Sequence, residues 1–205
     1  MTNMQTVITQ RHPVSNEALD QIFREARTHS AWRSDPVPVE TLREVYDLAR
    51  LGPTSANTVP ARFVFLASVE AKERLVPALM PGNVEKTRKA PVNVIVAWDT
   101  EFHQHLSRLF PQANFGPMFA SNAVLAHETA FRNSSLEGAY FILAARALGL
   151  DCGPMSGFDA EKVNDEFFSD GKWRVNFLCN LGYGDCSKLP PRNPRLDFDE
   201  ACRIL

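Results

Sequence analysis

Residues 134–149, SSLEGAYFILAARALG, carry apolar side chains on nearly every side of a helix: Ala139, Phe141, Ile142, Leu143, Ala144, Ala145, Ala147 and Leu148. A helix with no wet face has to lie inside the fold, covered by other elements. The chain has the material to cover it, since 44% of its 205 residues are hydrophobic. Ser134 and Glu137 stand at capping-box spacing, which predicts the helix start at that point. Gly149 fits the stop.

Two further helices are amphipathic. SNEALDQIFREART (15–28) places Ala18, Leu19, Ile22, Phe23 and Ala26 on one face, with Ser15 as a cap, and PVETLREVYDLARLG (38–52) does the same with Leu42, Val45, Leu48 and Ala49. The runs RFVFLAS (62–68) and VNVIVAW (92–98) are too short for helices and rich in branched side chains, so they predict buried strands. WRVNFLCNLGYGD (173–185) alternates in its first half and predicts another. A short helix is expected at about 70–79, PGNVEKTRKAP (81–91) is expected to be a polar loop, and 100–132 is the least regular stretch. Several helices interleaved with about four strands give the class in which helices cover both faces of a sheet. The proline-containing tail from Lys188 has too little apolar surface for a core of its own and has to dock on another surface.

A formal net charge of −2 provides no basic field for nucleic acid or an anionic membrane. No apolar run approaches the roughly 20 residues that span a bilayer, and the first 14 residues lack the apolar centre of a secretory signal. The expectation is a cytoplasmic protein. Cys152, Cys179, Cys186 and Cys202 form no C-x-x-C pair, and His103 and His105 have no carboxylate cluster beside them, so no metal site is expected. The stretch GLDCGPMSGFD (149–159) sets Ser156 directly beside Gly157, which breaks the Gly-x-Ser-x-Gly spacing of a nucleophile elbow. Neither G-x-G-x-x-G nor G-x-x-x-x-G-K-[ST] occurs, so a nucleotide would be held by other groups. The stretch instead suggests a platform, with Gly153 to Gly157 admitting close approach of something flat.

Groups suited to phosphate occur at Arg27, His29 and Arg33, and again at Arg192 and Arg195, because a guanidinium fork matches two oxygens. Ser55 and Asn57 stand in the turn-forming GPTSANTVPA. In order along the chain, ARTHSAWR, ARLGPTSANTVPARFVF, GNVEK, AARALGLDCGPMSGFD, LGYGD and PRNPRL resemble the segments of the flavin-dependent nitroreductase family, from about residue 18 to the C-terminus. Within it, ETAFRNSS, LGLDCGPMSGFD and GYGDCSK are similar to the malonic semialdehyde reductases of pyrimidine degradation. The chain departs from the family where His29 replaces a serine, Val59-Pro60-Ala61 replaces Gln-Pro-Trp, and Ser156 stands where many relatives have glutamate.

The resemblance implies an α+β fold, a three-layer α-β-α sandwich with a mixed central sheet, and a C-terminal extension docked on a partner subunit. It divides the chain into an N-terminal extension (1–14), an FMN-binding domain (15–190) and a C-terminal extension (191–205). It implies a homodimer with FMN at the subunit interface and NADPH or NADH as reductant. Arg27, Thr28, His29, Arg192, Asn193 and Arg195 would hold the phosphate. Ser55 and Asn57 (from the partner), Asn83, Lys86, Met155, Ser156 and Gly157 would hold the ring. No protein side chain is implied as the hydride carrier, which would be flavin N5. The expected reaction is NAD(P)H-dependent reduction of malonic semialdehyde to 3-hydroxypropionate. A broad nitro- or quinone reductase and a degenerate, non-enzymatic flavin-binding or interaction protein are the alternatives.

Overall fold

A computed structural model describes residues 12–205. Its centre is a four-stranded sheet in the order β1-β2-β4-β3, with β1 Ala61–Leu66, β2 Val92–Asp99, β3 Asp151–Met155 and β4 Trp173–Gly182. In β2 the side chains point alternately to the two faces, as strand geometry dictates. Val92, Val94 and Val96 join a core with Leu42, Val45, Phe141 and Leu181, whereas Ile95 and Ala97 join a second core with Leu75, Val163 and Leu178. Both faces are therefore covered. The first by α2 (Val39–Ala49) and α7 (Ala123–Ala147), the second by α3 (Val69–Leu75) and α8 (Ala160–Phe167), which makes the three-layer sandwich that was expected.

The sheet is not mixed. All three strand pairings are antiparallel, and the parallel contact beside it is an isolated bridge from Thr28 to Cys152. The cause lies in how the connections return. Leu66 at the end of β1 pairs with Asn93 at the start of β2, so residues 67–91 leave and re-enter the sheet at one end. Within that excursion the expected polar loop is a helix, α4 (Pro81–Lys89). Pro81 sits at its first position, where the fixed φ and missing N–H cost nothing.

α1 (Asn16–Leu19) is capped by the Ser15 hydroxyl as expected, but continues as a π-helical turn, Asp20–Arg24. The wider turn breaks the 3.6-residue stripe, and Phe23 stays 55% exposed. α2 follows its pattern with Leu42, Val45 and Ala49 buried, while Leu48 stays exposed. α5 (Leu106–Leu109) and α6 (Gly116–Ala120) form a small satellite around Phe102 and Phe119. α9 (Phe198–Ala201) lies in the tail.

The largest correction concerns α7. It spans 25 residues and starts at Asn122, whose side chain accepts from the Leu125 N–H, so Ser134 and Glu137 lie mid-helix and cap nothing. Its end is as expected, with Gly149 at φ 77°. The first part of the expected platform is strand: Gly153, Pro154 and Met155 pair with Asn180, Cys179 and Leu178 of β4. Among the described residues no helix is long and apolar enough to cross a membrane.

Gly153 is small for a reason inside the protein. A Cβ there would come within 2.6 Å of the His29 carbonyl oxygen, a backbone atom with nowhere to go. Gly153→Ala is expected to push residues 27–29 off β3 and to cost about 1–3 kcal/mol. Urea unfolding of the variant beside wild type measures it.

Candidate active site

The expected phosphate residues come from the two ends of the described chain. Arg27 and Thr28 follow the π-turn, and Arg192, Asn193 and Arg195 belong to the tail, which folds back over them. Arg27 donates to the Pro190 carbonyl at 2.6 Å, and Arg192 donates to the carbonyls of Arg24 and Ala26 at 2.7 and 3.0 Å. Together they line a cavity of about 450 Å³ with Phe23, Pro190, Pro191 and one residue not anticipated, Arg146 from the last turn of α7. Four guanidiniums line it and no carboxylate does. Among the described residues none of the four takes part in an ion pair. Arg146 donates from one terminal nitrogen to the Ile22 carbonyl, and its Nε is buried without a partner. Each guanidinium has five N–H donors, and the bonds to main-chain carbonyls, including those from Arg195 to Asn193 and Pro194, take up only part of them. A phosphate monoester fits such a site. Arg146 escaped notice because a basic residue in a last helical turn is ordinarily explained by the helix dipole.

His29 is not part of this cavity. Its side chain is buried beneath Gly184, where a Cβ would overlap the imidazole ring, and its Nε2 lies 3.3 Å from the Asp151 carboxylate. Its backbone N–H donates to the Cys152 carbonyl. Where the family's serine would offer a hydroxyl, this chain uses the position to pin residues 28–29 to β3.

A second group forms at the far end of β3. Four residues of extended chain, about 13 Å, separate Cys152 from Ser156. Asn83 on α4 donates its Nδ2 to the Gly157 carbonyl at 2.7 Å, and a Cβ on Gly157 would meet that same Nδ2 at 2.4 Å. The glycine thus admits the Asn83 side chain. Lys86 stands one turn further along α4, half-buried and in no ion pair among the described residues. Met155 turns its side chain into the second core, where Thr87 lies beside its sulfur, so only its main chain is offered outward. Ser156 is exposed.

Ser55 and Asn57 stand in a loop against α7 and hydrogen-bond to neither group. Three residues there have positive φ without being glycine: Ala56 at 48°, Asn57 at 49° and Val59 at 40°. Such residues cost on the order of 1–3 kcal/mol each and persist only where surrounding contacts impose them. Asn133 Oδ1 accepts the Ser55 N–H at 2.8 Å, Glu137 Oε2 accepts the Ala61 N–H at 2.9 Å, and the Thr54 hydroxyl accepts the Val59 N–H at 3.1 Å. Asn57 donates to the Leu109 carbonyl at 2.7 Å. Arg62 is bound to Asp99 at 2.5 Å and to the carbonyls of Val59 and Ala61.

Residues 23–183 match the model of the Nitroreductase family. The chain is 59% identical over 187 residues to a protein of Ralstonia nicotianae, covering 91% of this chain and 96% of that one. It is 58% identical over 187 residues to one of Rhodopseudomonas palustris, covering 91% and 95%. Both are named "Putative NADH dehydrogenase/NAD(P)H nitroreductase". A Streptococcus pneumoniae nitroreductase family protein superposes with TM-score 0.80 at 22% identity, covering 90% of this chain and 98% of that one. A putative nitroreductase of Exiguobacterium sibiricum, solved in complex with FMN, superposes with TM-score 0.81 at 18% identity, covering 96% and 100%. These two share the fold. The chain belongs to the nitroreductase family.

Burial pushes the Glu137 carboxyl up to about 7 from its ordinary 4.5, against the pull of the Ala61 N–H and the Arg62 charge. The folded state then holds this proton more tightly than the unfolded chain, so stability falls as pH rises from about 4.5 to about 7 and is flat above. Glu137→Gln keeps an acceptor and removes the titration. Relative to that variant, wild type is expected to lose on the order of 3 kcal/mol across the window. Urea unfolding of both proteins at about pH 5 and about pH 8 checks this. Equal differences at the two pH values would place the Glu137 proton elsewhere.

Proposed function

We propose that the chain is an FMN-dependent oxidoreductase that uses NADPH or NADH to reduce malonic semialdehyde to 3-hydroxypropionate. The observation that carries the cofactor is the cavity of four arginines without a carboxylate. Such an accumulation of like charge is stabilised by an anion with several acceptor oxygens. The FMN complex of the Exiguobacterium sibiricum protein and the names of the relatives agree with it. The particular aldehyde rests on the sequence words shared with malonic semialdehyde reductases.

In this reading Arg27, Thr28, Arg192, Asn193 and Arg195, joined by Arg146, hold the phosphate. The main chain of Met155, Ser156 and Gly157 backs the ring, Asn83 steadies that main chain, and Lys86 places a positive charge at the ring's edge, where it favours the reduced anionic form. When bound, FMN supplies the hydride chemistry at its N5. Ser55 and Asn57, bonded to Asn133 of α7 and to the Leu109 carbonyl and to neither of these groups, serve in this reading the ring held by a second copy of the chain. That makes a homodimer the working unit, with residues 15–190 as the flavin-binding domain and 191–205 as an extension. The latter exposes Leu196, Phe198, Ile204 and Leu205 for docking on the partner.

The names of the relatives favour a second reading, a broad nitro- or quinone reductase with the same cofactor site. Turnover separates the two, since a nitroreductase works faster on nitroaromatics than on the semialdehyde.

The test is the visible spectrum of protein mixed with FMN and then gel-filtered. Retained flavin bands that bleach with NADPH and return on adding malonic semialdehyde are expected; bleaching without return discards this substrate. The Arg27→Ala/Arg195→Ala double variant is expected to come through the column colourless while keeping its fold. Unchanged flavin content in it would move the phosphate elsewhere.

A further inference from the structure

We propose that Asn133 and Glu137 are positioning residues for the cofactor: from one face of α7 they hold both ends of the 55–61 loop in a left-handed shape that lets Ser55 and Asn57 reach the flavin. The proposal rests on the reading of those two loop residues given above. Asn133 and Glu137 are four residues apart and so share a face of the helix. Both are 2% exposed. Asn133 Nδ2 donates to the Thr129 carbonyl at 2.7 Å, which fixes the amide so that its oxygen meets the Ser55 N–H. Glu137 takes the Ala61 N–H at the other end. Between these anchors lie Ala56, Asn57 and Val59, all with φ between 40° and 49°.

Three features separate a positioning role from ordinary packing. The anchors grip main-chain N–H groups that flank the functional side chains, so the Ser55 hydroxyl is engaged through neither of them. The gripped segment includes a branched residue, Val59, in a region of φ that branched side chains avoid. Left alone, that segment would relax to negative φ and carry Asn57 away from its tie to the Leu109 carbonyl. A glutamate side chain is also costly to bury for the sake of one N–H, whether or not it carries its proton, and its use here points to a geometry that has to be enforced.

The test compares FMN affinity, by flavin fluorescence titration of the full chain, in wild type, Asn133→Ala, Glu137→Ala, Glu137→Gln and Glu137→Ala/Val59→Gly. Amide hydrogen exchange of the flavin-free proteins accompanies it. Loss of one buried anchor is expected to weaken FMN binding about tenfold and to speed exchange at Ser55 or Ala61, with β2 unchanged. Glu137→Gln should retain near wild-type affinity through its amide oxygen. Val59→Gly should recover part of the loss in Glu137→Ala, because glycine adopts positive φ freely. Unchanged affinity in both alanine variants, while Arg27→Ala/Arg195→Ala releases FMN, would overturn the proposal and leave the flavin assignment standing. Faster exchange throughout β2 with no recovery by Val59→Gly would overturn it too, in favour of a general packing role. Failure of wild type to bind FMN would remove both.

Discussion

The position of α7 against the sheet decides most of what this chain can do. The helix packs closely because Gly138 faces the Phe177 ring, where a Cβ would sit 2.6 Å from the ring edge. On the loop side Gly52 lets the Tyr140 ring of the same helix lie directly on its backbone, 2.7 Å from where a Cβ would be. Fixed between these contacts, α7 has a buried apolar stripe, Phe141, Ala144 and Ala145, and also a buried polar one, Thr129, Asn133, Ser134 and Glu137. Buried polar groups have to be partnered: Asn133 and Glu137 take the N–H groups of Ser55 in the loop and of Ala61 at the start of β1, while Ser134 bonds to the Phe131 carbonyl and the Asn176 amide. The helix is a spine for the sheet at one end and a template for an irregular loop at the other.

That double use explains why the helix was legible in part. From Ala139 to Leu148 the sequence is apolar and reveals burial at once. Upstream, His127, Glu128, Arg132, Asn133 and Ser135 look like the wet side of something shorter, and the Ser134–Glu137 spacing matches a cap. Local propensity had a satisfactory answer there, and the tertiary answer was different. The strands were easier because β2 needs apolar residues on both faces, which leaves an uninterrupted run. α4 was missed since PGNVEKTRKAP is polar almost throughout, and its helicity is supported by Pro81 at the start and by Arg88 bound to Glu73 of α3. The antiparallel sheet could not be read from element order, because a helical excursion can return a strand to either end.

At the candidate site, residue type and order were informative while direction was not. Arg27 and Arg195 are 168 positions apart and meet only because the tail folds back across the first helical turn. No periodicity contains that. Arg146 joins them from a helix whose other residues announce a core. His29 and Met155 show the opposite: both sit where expected along the chain, yet the fold turns their side chains inward, one onto Asp151 and one into the second core. Gly153 and Gly157 suggested room for a ligand, but their missing side chains are used by the His29 carbonyl and the Asn83 amide. A platform still results, assembled from main chain that these internal contacts hold still.

The arrangement also accounts for the missing dinucleotide fingerprint. Affinity for a flavin mononucleotide can be concentrated at its phosphate, and the chain concentrates its charge accordingly: net −2 overall, with four guanidiniums in one cavity that no carboxylate of the described residues pairs. In the proposed reading, with the phosphate at one end of β3 and the ring at the other, the ring end needs only a flat backing and a single charge, Lys86. In the same reading a nicotinamide and a small aldehyde use one ring face in turn, each binding through the part that reacts. No Gly-rich phosphate cradle is needed for a reductant that visits with one end only.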